Sequence, residues 1–113
     1  MWKSCGYCKV HWEDTREFLK DPNIKFIGMQ VNLKSANFSC LYHFDHAVCG
    51  STLGININKF ESLIDEPIPE LVMTGEEKCP RHCTHIEDFI ECTNECHNAP
   101  FRRFALKVLK NLN

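Results

Sequence analysis

Hydrophobic residues in the first half of the chain recur with both helical and extended periods. Residues 11–20 place Trp12 and Phe18 on one side of a predicted helix. Pro22 ends this run, because a proline cannot continue a helix. The following segments are rich in β-branched and aromatic residues, which favours strands. The predicted strands are 24–33, 38–44 and 51–57, with a turn at 34–37 that makes the first two antiparallel.

The second half of the chain predicts short helices separated by breaks. Asn58 with Glu61 three residues later resembles a capping box that opens a short helix. Thr84 with Glu87 resembles a second capping box. A last helix is predicted with Pro100 at its first position. The face opposite its apolar residues is basic and is predicted to be solvated; it carries Arg103, Lys107 and Lys110.

These elements together predict the fold class and the domain organisation. The expected fold is α+β, a small antiparallel sheet with several short helices around a zinc-ribbon or treble-clef-like metal site. A length of 113 residues fits a single metal-binding domain over 1–113.

Net charge and hydropathy limit the kinds of partner and the cellular compartment that the sequence is compatible with. The formal net charge of −2 argues against nucleic acid, so a protein partner or a homo-oligomer is expected. No apolar run approaches the roughly 20 residues that span a bilayer, so no membrane partner is expected. The residues that follow Met1 lack the apolar stretch of a secretion signal, which predicts a cytoplasmic protein.

The cysteine content points to a specific chemistry. Eight cysteines among 113 residues is a high count. A disulfide framework and a metal site both explain such a count, and the redox compartment distinguishes them. Since thiols stay reduced in the cytoplasm, a metal site is the favoured interpretation.

A first group of cysteines carries the spacing of a metal site. Cys5 and Cys8 form a C-x-x-C pair, and His46 and Cys49 form an H-x-x-C pair that Gly50 follows. A two-residue spacer lets a tight turn direct both ligand atoms at one ion, and zinc takes four such ligands in a tetrahedron. The two pairs therefore predict a zinc site.

Neighbouring residues leave alternatives open at this first site. His43 is the substitute ligand if His46 is not used, and Cys40 is expected to be a small buried core residue. The C-x-x-C pair is also typical of thioredoxin-like redox sites, which need a strand before the motif. Only four residues precede Cys5, so this redox interpretation is not favoured.

A second group comprises two C-x-x-x-C pairs, Cys79 with Cys83 and Cys92 with Cys96. The group is compatible with a second zinc site, an iron–sulfur cluster or disulfides. On a helix, Cys92 and Cys96 would share one face. An unbroken helix from Cys83 to Cys96 would separate Cys83 and Cys92 by roughly 13 Å of helix rise, too far for one ion. A shared site therefore requires this helix to be short or broken, or the Cys79 loop to fold back along it.

Two short motifs carry a resemblance to known proteins. The motif W-x-x-C-x-x-C occupies residues 2–8, and F-D-H-x-x-C-G-S-T-L occupies residues 44–53. Both resemble elements of small cysteine-rich bacterial proteins of uncharacterised function. They are also similar to the C-x-x-C and H-x-x-C elements beside sensory domains in some anaerobic bacteria. The resemblance implies a metal-binding module in signalling, and it implies no defined reaction.

The favoured function is a zinc-stabilised binding or regulatory module without catalytic turnover. One alternative is a redox or metal sensor, since oxidised thiolates release zinc. The other is a metal-dependent enzyme, for which Asp45 beside His46 is the candidate base. The motifs of serine hydrolases, zinc proteases and phosphate-binding loops are all missing from the sequence.

Overall fold

The computed structural model describes residues 2–31, 40–70, 86, 90, 92 and 96–111. In chain order the strands and α-helices are β1 (Lys3–Ser4), β2 (His11–Trp12), α1 (Thr15–Lys20), β3 (Ile24–Val31), β4 (Cys40–His46), β5 (Ser51–Asn56) and α2 (Asn98–Lys107). Segments of 3₁₀ helix follow β5 and α2, at Ile57–Leu63 and Leu109–Asn111. The antiparallel sheets and short helices confirm the predicted α+β class.

The larger sheet has the strand order β3-β4-β5, and both pairs of strands are antiparallel. Along β4 buried residues alternate with more exposed ones, so that Tyr42, Phe44 and His46 face the core. Phe44 packs edge-to-face against Phe18 of α1, with ring centroids 4.9 Å apart. The three predicted strands are confirmed, although β4 extends to His46 and the predicted turn at 34–37 lies outside the described residues.

The helix predicted over 11–20 is wrong in its first turn. The first two of these residues form β2, which pairs antiparallel with β1. The helix begins only at Thr15, because Asp14 caps it by accepting a 2.8 Å hydrogen bond from the Glu17 amide. The Glu17 carboxylate in turn accepts from the Glu13 amide at 2.8 Å. These two hydrogen bonds, which satisfy amides at the N-terminus of the helix, are the physical reason for the later start.

Two further helix starts differ from the sequence prediction. The short helix predicted after β5 is a 3₁₀ helix, and Asn56 rather than Asn58 caps it. Helix α2 begins at Asn98, so Pro100 lies in its first turn and not at its first position. The capping pair Thr84 and Glu87 lies outside the described residues.

The basic face predicted on the last helix, which spans α2 and the 3₁₀ segment after it, is only partly solvated. Lys107 and Lys110 are exposed. Arg103 is half-buried, because its guanidinium pairs with the Glu66 carboxylate, with Nη2 2.5 Å from Oε1. Arg102 beside it is 2% exposed and donates from Nε to the Ile90 carbonyl at 2.6 Å. Two adjacent arginines thus tie α2 to other parts of the chain.

A bulge in β3 brings another segment against the sheet. The register between β3 and β4 shifts between Phe26 and Gly28. A Cβ atom at Gly28 would clash with the backbone carbonyl of Ile86 and lie 2.5 Å from its Cγ1. Glycine is therefore required here by the close approach of Ile86. Within the part of the chain that the structure describes, no helix has the length and apolar character needed to cross a membrane.

Candidate metal centre

The first ligand pair lies in the tight connection between β1 and β2. The Cys5 amide donates to the Val10 carbonyl at 2.8 Å, and the Lys9 amide donates to the Cys5 carbonyl at 3.0 Å. Lys9 adopts a left-handed conformation, with φ of 68°. This conformation turns the chain back toward β2, so the Cys5 and Cys8 side chains face the same side.

The second ligand pair lies in the turn between β4 and β5. His46 ends β4, and its carbonyl accepts from the amides of Cys49 at 3.3 Å and Gly50 at 2.8 Å. Gly50 has φ of 73°, which favours glycine because it has no Cβ to clash. Ser51 then begins β5 directly opposite His46 in the strand register. The turn thereby places Cys49 beside the end of β4.

The structure brings these two pairs together at one point. The ligand atoms of Cys5, Cys8, His46 and Cys49 all lie within 4.8 Å of one another. Cys5 Sγ is 3.7 Å from Cys49 Sγ. His46 Nδ1 is 3.7 Å from Cys8 Sγ and 3.5 Å from Cys49 Sγ. These spacings exceed the roughly 2.05 Å of a disulfide bond, so the cysteines are thiols or thiolates around a shared centre.

Burial fixes the orientation of the histidine. His46 is fully buried, and its ring packs edge-to-face against Trp12, with ring centroids 5.4 Å apart. Trp12 is held in turn by a 3.0 Å hydrogen bond from its indole nitrogen to Asp21. With Nδ1 facing the sulfurs, Nε2 is buried and has no hydrogen-bond partner among the described residues. Only Nδ1 is therefore placed to bind an ion.

Hydrogen bonds shift the pKa values of two of the thiols in opposite directions. A backbone hydrogen bond from Cys8 is the largest of the causes that lower the pKa of Cys5 to about 5, against the effect of burial. The backbone of Val10 lowers the pKa of Cys8, but burial and the neighbouring Cys5 and Cys49 sulfurs outweigh it and raise that pKa overall. Adjacent sulfurs resist ionising together, and a bound cation would relieve this repulsion.

The structure also decides which neighbours stay outside the cluster. Side chains alternate along β4, so His43 and Asp45 lie on the face opposite His46. Burial lowers the pKa of His43, and Asp45 is exposed and accepts from the Thr52 hydroxyl at 3.1 Å. His46 rather than His43 thus joins the cluster, and Asp45 is turned away from it. Cys40 is 3% exposed within the core, which confirms its predicted burial.

The second cysteine group is described only in part. Cys79 and Cys83 lie outside the described residues. Cys92 and Cys96 are buried and pack with Ala99 in a small cluster. Neither Cys92 nor Cys96 is helical, so the condition under which they would share a helical face is not met.

The backbone at Cys92 and Ile90 is held by two arginines of α2. Its carbonyl accepts from Arg103 Nη1 at 2.6 Å, and the Ile90 carbonyl accepts from the neighbouring Arg102. These bonds hold the backbone at Ile90 and Cys92, neither of which is helical, against α2, and they satisfy carbonyls that an α-helix would have used internally. The distance objection to a shared site, which assumed an unbroken helix from Cys83 to Cys96, therefore does not apply.

Sequence reasoning missed two residues that surround the cluster. The Ser51 hydroxyl lies 2.9 Å from Cys49 Sγ and 3.5 Å from Cys5 Sγ. Its position two residues after a ligand was visible, but its contact with Cys5 depends on the fold. Trp12 was assigned to the core face of a helix, and no spacing signal connects it with His46.

Comparison with known proteins adds no relative: no family model, curated protein or solved structure gave a match to this chain.

Proposed function

We propose that this protein is a zinc-stabilised binding or regulatory module in which Cys5, Cys8, His46 and Cys49 hold one ion. The observation that carries the proposal is the spacing of their ligand atoms. Tetrahedral zinc with bonds of about 2.3 Å to sulfur and 2.0–2.1 Å to nitrogen requires about 3.8 Å between two sulfurs and about 3.6 Å between sulfur and nitrogen. The observed 3.7 Å between Cys5 and Cys49 and 3.5 Å between Cys49 and His46 fit these edges.

The ligand type supports zinc as the ion. Three thiolates and one imidazole form a soft to borderline set, which suits zinc, whereas magnesium and calcium prefer oxygen ligands. The tight turns that carry both pairs are held by backbone hydrogen bonds and need no rearrangement to present their ligands.

The same geometry supports a structural rather than a catalytic ion. Structural zinc sites are closed by four protein ligands, whereas catalytic sites keep one position for water. Here four protein groups fill the tetrahedron, and Asp45 lies on the other face of β4. The ion would join the β1–β2 turn to the β4–β5 turn and so complete a surface for a partner.

A metal measurement on matched variants tests this proposal. The full chain is purified, equilibrated with a competing chelator, and its zinc content is measured with that of Cys8→Ala and Cys40→Ala. Cys8 is half-buried at the cluster, whereas Cys40 is a core cysteine outside it. We expect Cys8→Ala to hold about one zinc ion per chain less than the unmodified protein, and Cys40→Ala to keep the full content.

Cobalt substitution reports the ligand set independently of stoichiometry. The cobalt-loaded protein should show the visible bands of tetrahedral coordination and a thiolate charge-transfer band that weakens in Cys8→Ala. An unmodified protein that takes up neither zinc nor cobalt, or an equal zinc content in Cys8→Ala, would show that the cluster is not a metal site.

The sensor function is a second candidate, which the partial exposure of two ligands favours. Cys8 and Cys49 are half-buried, so a small oxidant in solution can reach them. Mild peroxide distinguishes the two functions, since a sensor would release zinc reversibly, whereas a structural site would resist the same mild treatment and lose zinc only to stronger reagents.

A further inference from the structure

The hydroxyl of Ser51 occupies a particular place beside the cluster. Its oxygen lies 2.9 Å from Cys49 Sγ and 3.5 Å from Cys5 Sγ. A metal-bound thiolate has no proton to give, so the hydroxyl must be the donor, and the shorter distance assigns its proton to Cys49. Ser51 is also the strand partner of His46, so its backbone is fixed relative to the ligands.

The three cysteines of the cluster therefore have different surroundings. Cys5 is 1% exposed, which shields its sulfur from reagents. Cys49 is half-buried and accepts the Ser51 hydroxyl. Cys8 is also half-buried; the backbone of Val10 forms a hydrogen bond with its sulfur, and among the described residues no side-chain hydroxyl contacts it. Cys8 and Cys49 are thus both half-buried, and of the two only Cys49 has a side-chain hydroxyl against its sulfur.

We propose that Ser51 is a positioning residue that protects Cys49, so that Cys8 is the ligand at which electrophiles and peroxides open the site. A hydrogen bond draws electron density from the sulfur and so weakens it as a nucleophile, and groups next to metal ligands typically act on the centre in this way. This inference rests on the proposed zinc site, and it adds which of the ligands reacts first with electrophiles and peroxides.

The chemical step at Cys8 follows from thiolate reactivity. With hydrogen peroxide, the sulfur forms a bond to one oxygen as the O–O bond breaks and hydroxide leaves. The sulfur loses two electrons and the peroxide gains them. With iodoacetamide, an S–C bond forms as the C–I bond breaks and iodide leaves. Either product is a weaker ligand than the thiolate, so zinc dissociates.

The experiment maps which cysteine reacts first in the zinc-loaded full chain. Zinc content is measured first, and the protein is then treated with limiting iodoacetamide, digested and analysed by mass spectrometry. A chromogenic chelator follows zinc release in parallel. We expect the unmodified protein to react first at Cys8. In Ser51→Ala the rate at Cys49 should rise about tenfold while the rate at Cys8 stays constant.

Two variants separate this role from a general effect on the fold. Ser51→Thr keeps a hydroxyl and should preserve the original order of reaction. Thr52→Ala removes the hydroxyl of the next residue, which donates to Asp45 instead, and it should change nothing. A rise at all three cysteines in Ser51→Ala would indicate loosening of the fold and overturn the proposal.

The outcomes distinguish this inference from the proposed function. If the unmodified protein holds no zinc, the metal site itself fails. If it holds zinc and Ser51→Ala reacts in the same order and at the same rates, only the role of Ser51 fails.

Discussion

Gly28 shows how a single missing side chain determines the packing of another segment. The position lies at the bulge of β3, where the Ile86 backbone approaches within the volume that a Cβ would occupy. A bulge of this kind bends a strand and opens a place for another part of the chain. The contact joins the sheet to a segment that is remote in sequence.

Substitution of Gly28 by alanine should therefore destabilise the protein. The new methyl group must displace backbone atoms of Ile86, and such overpacking typically costs about 1–3 kcal/mol. Urea unfolding followed by circular dichroism measures the change. Gly6→Ala is the control, because a Cβ at Gly6 meets no atom within 4 Å. Equal stability of Gly28→Ala and the unmodified protein would show that Ile86 does not pack at this point.

The ligands of the cluster could be predicted from individual residues and their spacing in the sequence, including the choice between His43 and His46. His46 shares the parity of Tyr42 and Phe44 along a strand, so alternation alone favours it over His43. The spacing of the ligand pairs identified the other members of the cluster. Ser51 was not predictable as a neighbour of Cys5, because the contact joins residues 46 positions apart.

The smallest elements of the fold depend on their surroundings. Strands β1 and β2 have two residues each, and an isolated hairpin of this size is not stable in water. Trp2 and Trp12 anchor it by packing against Phe18, with ring centroids 5.2 and 4.9 Å apart. The sequence prediction extended α1 over β2, because Trp12 fits a helical period. A strand of two residues is too short to show the alternation of buried and exposed positions that identifies a strand.

Helix α2 is connected to the segment after the 3₁₀ helix by an ion pair. Arg103 donates to both carboxylate oxygens of Glu66, and this hydrogen bonding, with burial opposing it, lowers the pKa of Glu66. A carboxylate whose pKa is lower in the folded state stabilises the fold above its unfolded pKa, which is about 4.3. The contribution is lost as the pH falls through the lower, folded pKa.

Replacement of Glu66 by glutamine should remove this pH dependence. We expect Glu66→Gln to be less stable than the unmodified protein at pH 7, and the difference to shrink as the pH falls below about 4. Urea unfolding across this pH range measures the free energy of unfolding of both proteins. In the difference between the two values, the pH effects of all other groups cancel. Glu61→Gln, at an exposed carboxylate, is the control. A difference that stays constant with pH would contradict the role of the pair.

For the whole molecule, the proposed ion acts as a cross-link between distant parts of the chain. Cys8 and His46 are 38 positions apart. A covalent cross-link over such a loop stabilises a protein by about 4 kcal/mol in the chain-entropy description. The binding free energy of the ion adds to this stabilisation. It stabilises only the folded state if the unfolded chain does not bind the ion.

Removal of the metal should consequently lower the melting temperature by about 10 °C or more, since 1 kcal/mol corresponds to several degrees in a domain of this size. Scanning calorimetry of the zinc-loaded and chelated protein measures the shift. Cys8→Ala should melt at one temperature with or without chelator. Identical melting of the loaded and chelated unmodified protein would mean that no ion contributes to its stability.

The direction of the β3–β4 hairpin has a consequence for how related sequences diverge. His46 pairs with Ile24 at one end of the hairpin, whereas Cys40 pairs with Val31 at the other, where the connection lies. Residues inserted into that connection leave the register at the ligand end unchanged, and each doubling of a loop's length costs only about 0.6 kcal/mol. Natural variants should therefore keep the two-residue spacers within each ligand pair and differ freely in the gap between the pairs. Homologues of this chain are best sought as two short motifs separated by a variable interval.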